Sequence, residues 1–171
     1  MQTNQVPYYD DSDTPTECCA RFDPTGWDAQ ELHFENKRFL RAITHSAMHI
    51  PLDMGRVFSR VHSHIDASGG YDKADIIVLS RDLSAWKAEH LFAVPRDVPD
   101  EDMTTLSGDF VSKVFEGPYR ETKRWQEQMQ DLVRARGKTP SDVYFFFTTC
   151  PKCAKAYGKN YVVGVARTQE I

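Results

Sequence analysis

The chain has no long apolar run, no excess of positive charge and no glycine-rich phosphate loop. No apolar stretch approaches the ~20 residues a membrane-spanning helix needs. The formal net charge is −4, from 21 Lys and Arg against 25 Asp and Glu. Its short basic pairs, Lys37-Arg38 and Lys123-Arg124, are scattered among acids, so no nucleic-acid footprint is expected. Gly69-Gly70 follows a helical stretch and does not open one, which gives nucleotide binding no support. The six histidines form no His-Glu-x-x-His array, and His62 and His64, two apart on a helix, do not share a face. The polar, acidic start, with Asp10, Asp11 and Asp13, carries no basic-then-apolar leader, so the expected location is cytoplasmic.

What is present suits one domain of 171 residues, with 40% hydrophobic and 27% charged side chains. Residues 1–16, polar and interrupted by Pro7 and Pro15, read as a flexible arm; residues 17–171 read as a single domain. Leu32 to Thr44 reads as a strand. Pro51 and Asp53 then announce a helix whose apolar stripe is Met54, Val57, Phe58, Val61 and Ile65, ended at Gly69-Gly70. Two short apolar runs, Asp75–Leu79 and His90–Val94, have strand length. The order then repeats. A strand spans Thr104 to Phe115 and a helix opens at Gly117-Pro118. That helix carries Trp125, Met129, Leu132 and Val133, and strands follow at Val143–Phe147 and Tyr161–Val165. The fold class expected is α+β: two β-α-β-β halves with antiparallel sheets and a central ligand cleft.

Four cysteines stand in two pairs, Cys18-Cys19 and Cys150-Pro151-Lys152-Cys153. In a reducing compartment, such pairs are metal ligands or working thiols more often than structural disulfides. Three readings of the second pair remain open. It is a tight, lysine-rich loop between the last two strands; or, with Cys18 and Cys19, a zinc site; or a reactive thiol activated by Lys152 and Lys155. Against zinc, adjacent cysteines rarely both ligate one ion with ease. Against a redox pair, Ala154 to Ala156 leaves at most a turn or two of helix before Gly158.

The element order, together with Phe115-Glu116-Gly117-Pro118-Tyr119 ahead of a helix carrying Trp125, resembles the GyrI-like (gyrase-inhibitor-like) family. Leu106 to Phe110 and Ala85-Trp86 with Glu89 to Val94 resemble its strand segments. The flanks, Cys18-Cys19, Phe22-Asp23-Pro24 and Trp27 at one end and Thr148 to Asn160 at the other, look like a narrower bacterial subfamily classed as hydrolases. The resemblance implies a protein for hydrophobic or aromatic small molecules, acting as a hydrolase on a toxic compound. The alternative is a non-enzymatic module that sequesters or senses its ligand. Ligand-binding candidates are Trp86, Glu116, Tyr119, Tyr144 and Phe146. Catalytic candidates are Glu89, whose carboxyl would gain basicity if buried among aromatic rings, and the Cys150 and Cys153 thiols. The pocket readings call for no cofactor. The four-cysteine reading calls for zinc held by Cys18, Cys19, Cys150 and Cys153.

Overall fold

A computed structural model of the chain describes residues 2–170. Seven strands and three helices follow in the order β1 (Glu31–Ala47), β2 (Ile50–Pro51), α1 (Met54–Ala67), β3 (Val78–Asp82), β4 (Lys87–Ala93), β5 (Asp102–Glu116), α2 (Thr122–Ala135), β6 (Thr139–Phe147), α3 (Pro151–Tyr157) and β7 (Tyr161–Gln169). A 3-10 turn, Tyr119–Glu121, leads into α2. The fold is mixed α+β: the first half runs β-β-α-β-β, and the second runs β-α-β-α-β, with α3 standing between its last two strands.

The strands run in the order β1-β4-β3-β6-β7-β5, every pairing antiparallel, and β5 returns to pair with β1. The sheet is therefore a closed six-stranded barrel without the free edges of an open sheet. Alternation along each strand sorts the apolar residues into two sets. Phe39, Leu79, Leu91, Phe110, Tyr144 and Val163 point inward. On the outside, Leu40, Ala42 and Phe92 lie under α1, and Val111, Val143, Phe145 and Ala166 lie under α2. Tyr144 to Phe146 is continuously aromatic because the strand is buried on both faces, by the interior and by a helix.

The expected central cleft is replaced by packed side chains. Six strands enclose too little space to leave a lumen once aromatic residues fill the interior. Two boundaries also differ from the sequence expectation. The strand expected at 75–79 is β3, Val78–Asp82, and the expected loop at Cys150–Cys153 is the start of α3. The segment expected to be a flexible arm packs against the barrel: Val6 is buried and Tyr9 lies 6.0 Å from Phe22 and 5.8 Å from Phe146, ring centre to ring centre. Trp27 donates from its indole N–H to the Tyr8 carbonyl at 3.2 Å. Residues before β1 thus stopper one end of the barrel with Phe22 and Trp27.

Where α2 crosses β7, Gly164 leaves no room for a side chain. A methyl group there would stand 2.6 Å from Met129 Sδ and 3.0 Å from Phe115 Cε2. Met129 and Phe115 are themselves buried. Gly164→Ala is expected to cost about 1–3 kcal/mol by overpacking, read as a lower urea midpoint at unchanged slope. An unchanged midpoint would mean that α2 shifts freely on the barrel.

Candidate metal centre

The last turn of β6 runs through Thr148 and Thr149 to Cys150, which is the N-cap of α3. Pro151 follows at the first helical position, where its missing N–H is not needed, and Cys153 falls in the first turn. Gly158, at φ 72°, ends the helix in the left-handed conformation and donates its N–H to the Ala154 carbonyl at 3.0 Å. The other pair arrives from the opposite direction in the chain. The Glu17 N–H closes a turn onto the Thr14 carbonyl at 3.0 Å, and Glu17 itself has φ 57°. That turn delivers Cys18 and Cys19 to the start of α3.

All four sulfur atoms lie within 4.8 Å of one another, and all four are free thiols. Cys18 Sγ and Cys19 Sγ are 3.7 Å apart. Four thiolates at the usual Zn–S length of about 2.3 Å are about 3.8 Å apart on the edges of a tetrahedron. The cluster is close to that size without movement of the backbone. Adjacent cysteines reach one centre because the chain turns sharply just before them.

A surrounding layer fixes the sulfurs. The Thr16 hydroxyl lies 3.2 Å from Cys153 Sγ and 2.9 Å from the Tyr157 hydroxyl. Tyr157 donates to the Cys19 carbonyl at 2.5 Å, and the Cys150 N–H donates to Cys19 Sγ at 3.4 Å. The Arg21 guanidinium sits 5.2 Å from the Tyr157 ring centre. Asn160 holds the base of the loop: its side chain donates to the Gly117 carbonyl at 2.8 Å and accepts from the Thr149 hydroxyl at 3.0 Å. Tyr119 donates to the Thr149 carbonyl. The hydrogen bond from Thr16 lowers the Cys153 thiol to about 6, whereas burial pushes Cys19 upward. One thiolate is thus easily formed and its crowded neighbour resists a second. A dication held by Cys18, Cys19, Cys150 and Cys153 would remove that repulsion and favour the thiolate form of all four.

The other candidates are dispersed. Trp86 is 56% exposed at the tip of the β3–β4 hairpin, outside the barrel. Tyr144 and Phe146 belong to the packed interior. Glu89 is buried on the inner face of β4, where it accepts from Arg41 Nε at 2.5 Å and Arg81 Nε at 2.9 Å. Arg81 also donates to Asp142 at 2.6 Å, and Arg167 Nε stands 3.3 Å from the same carboxylate. Two guanidiniums occupy the Glu89 oxygens, so its partners are charged groups and not the aromatic rings expected around it. This network lies toward the end of the barrel opposite the Trp27 stopper.

Glu116 and Tyr119 line a shallow cavity of about 410 Å³ with Lys155, Lys159 and Asn160. A second, of about 340 Å³, lies between Arg21, Phe22, Thr149, Tyr157 and Tyr161. Both adjoin α3. Thr16 and Tyr157 were missed as site residues in the sequence. Tyr157 stands four positions after Cys153 on one helix, a spacing that puts both on one face and could have drawn attention to it.

No helix among the described residues is long and apolar enough to cross a membrane. No curated protein matches the chain. Among solved structures, an uncharacterized conserved protein from Listeria innocua is similar at 11% identity with a TM-score of 0.59, covering 84% of this chain and 93% of that one. That likeness concerns the fold alone. A family model described as bacterial hydrolase matches residues 9–168, a span that includes both cysteine pairs, all three helices and all of the barrel but the last residue of β7. The chain belongs to the bacterial hydrolase family.

Proposed function

We propose that the protein binds one zinc ion through Cys18, Cys19, Cys150 and Cys153, and that this ion ties the N-terminal segment to α3 across the stoppered end of the barrel. The observation that carries the reading is the convergence of four sulfurs within 4.8 Å from two distant parts of the chain. Four protein ligands leave no open position for a substrate or water, so the zinc is structural. Sulfur-only, near-tetrahedral donor sets suit soft or borderline cations and disfavour magnesium and calcium.

Metal analysis of protein purified without chelator tests this: one zinc per chain is expected, with loss of the ion in Cys153→Ser. Absence of metal, or iron in its place, would remove the zinc assignment.

A second reading concerns the activity. Family membership supports hydrolysis of a small molecule, and the GyrI-like reading draws support from the strand–helix–strand order in each half, although α3 interrupts the second. The place for such a ligand is beside α3 in the cavity lined by Glu116 and Tyr119, because the barrel interior is filled. In this reading Cys150 and Cys153 serve the metal and Glu89 serves the ion-pair network. Neither is then the group that activates water.

A further inference from the structure

The cavity of about 340 Å³ is walled by the rings of Phe22, Tyr157 and Tyr161 and carries two cations, Arg21 and Lys159. Its volume falls at the lower end of sites that take small molecules. Phe22 is buried, and its ring centre lies 6.1 Å from that of Tyr161. Walls made of rings favour a flat, unsaturated ligand, which gains stacking contacts beyond the area it buries.

Two acids, Asp13 and Asp23, also border the cavity, so the sign of the ligand depends on which charges are already engaged. Asp23 accepts the Thr25 N–H at 2.9 Å inside its own turn. Asp13 meets Arg21 at 3.4 Å, with both side chains more than half exposed. An ion pair that long and that exposed contributes little, so a ligand carboxylate can take the place of Asp13 on the guanidinium. Lys159 is exposed and has no ion-pair partner among the described residues. The two cations also lie over the aromatic walls, Arg21 5.2 Å from the Tyr157 ring centre and Lys159 Nζ 6.0 Å from that of Tyr161. A cationic ligand would need those ring faces for itself, and the protein's own cations hold them.

We infer that this cavity is a binding site for a small aromatic carboxylate, its ring against Phe22 and Tyr161 and its anion between Arg21 and Lys159. Hydrogen bonds from two cations to one carboxylate are charge-assisted and fix its orientation. The site is separate from the zinc and hydrolase readings, since neither the four sulfurs nor Glu116 supplies one of its walls or charges. Lys159 also borders the cavity of Glu116 and Tyr119, so the test must distinguish the two.

Titration of the isotope-labelled protein with 2-naphthoate, followed by amide NMR shifts, does so. Saturable shifts are expected at residues 21–23 and 157–161, and not at 116–119. Three analogues test the chemistry: the neutral 2-naphthamide, the cationic 2-naphthylmethylamine and the non-aromatic cyclohexanecarboxylate. Each is expected to bind at least tenfold more weakly. Lys159→Gln, an exposed change with no packing to lose, is expected to weaken 2-naphthoate at least fivefold, and Lys159→Arg to restore most of the loss. Shifts centred on residues 116–119 would overturn the assignment and favour the other cavity. Absence of saturation, equal binding of the amide, or tighter binding of the amine would overturn the anion site. Equal binding of cyclohexanecarboxylate would overturn the role of the rings. None of these outcomes bears on the zinc content.

Discussion

With zinc bound as proposed, treatment with a strong chelator is expected to lower the unfolding free energy by about 4 kcal/mol, the contribution of a ligand present at a thousandfold over its dissociation constant. In a chain of this length, that corresponds to a fall in melting temperature of roughly 8–16 °C. The barrel core does not depend on the ion, since Phe39, Leu79, Leu91 and Phe110 are buried among one another. On the zinc reading, what the ion would hold is the junction between two segments far apart in the chain, the turn at Thr14–Cys19 and the first turn of α3. The loss should therefore be local before it is global. Amides around residues 13–23 and 148–158 should exchange faster after chelation, and those of β1 and β4 should not. Cys153→Ala should reproduce the effect without chelator, because Cys153 is the buried ligand and contacts Thr16. A chelated protein with an unchanged melting temperature and exchange pattern would mean that the four sulfurs contribute no linkage.

The second large effect is a loss of stability in acid that originates at His90. This histidine lies on the outer face of β4 beneath α1, 2% exposed. Its Nδ1 is 2.8 Å from the Ser80 hydroxyl, its Nε2 is 2.8 Å from the Thr44 hydroxyl, and the Phe58 ring meets it edge-on at 4.9 Å. Burial lowers it to about 4, against a weaker opposing pull from Asp82, Glu89 and Asp53. The folded state therefore keeps His90 neutral where the unfolded chain, titrating near 6.5, binds a proton. Its contribution is complete above about pH 6.5 and is lost as pH falls toward 4. At 1.36 kcal/mol per pKa unit, the difference is about 3 kcal/mol between pH 7 and pH 4. His62 is lowered by burial in the same direction, so the variant rather than the bare pH profile isolates the residue. His90→Gln keeps a donor and an acceptor between the two hydroxyls and does not titrate. Urea midpoints at pH 7 and pH 4 should separate less in this variant than in the unaltered protein. Equal separation would sink the assignment.

Glu89 illustrates how far the sequence could be followed. Its burial was anticipated as a condition for activity, and it is buried. Its partners were not legible, because Arg41 and Arg81 lie 48 and 8 positions away and meet it only when β1, β4 and β3 pair in register. Trp86 is the reverse case: an aromatic residue in a family-like segment, placed by a hairpin turn in solvent. Glu116 and Tyr119 do border a cavity, because the turn into α2 brings them beside α3.

The sequence by itself determined most of the elements, though not α3, which was expected as a loop. The apolar stripes of α1 and α2, the stop at Gly69-Gly70 and the strand-length runs between them are local patterns, set by helix and strand periodicity. It also supplied the four thiols and the spacing within each pair. Tertiary structure decided the rest. Whether two sheets flank a cleft or close into a barrel depends on the β1–β5 and β3–β6 pairings, which join residues too far apart for any local pattern to encode. The same closure brings the turn at Cys18-Cys19 against α3, and only there do the two pairs of thiols meet in one four-sulfur cluster.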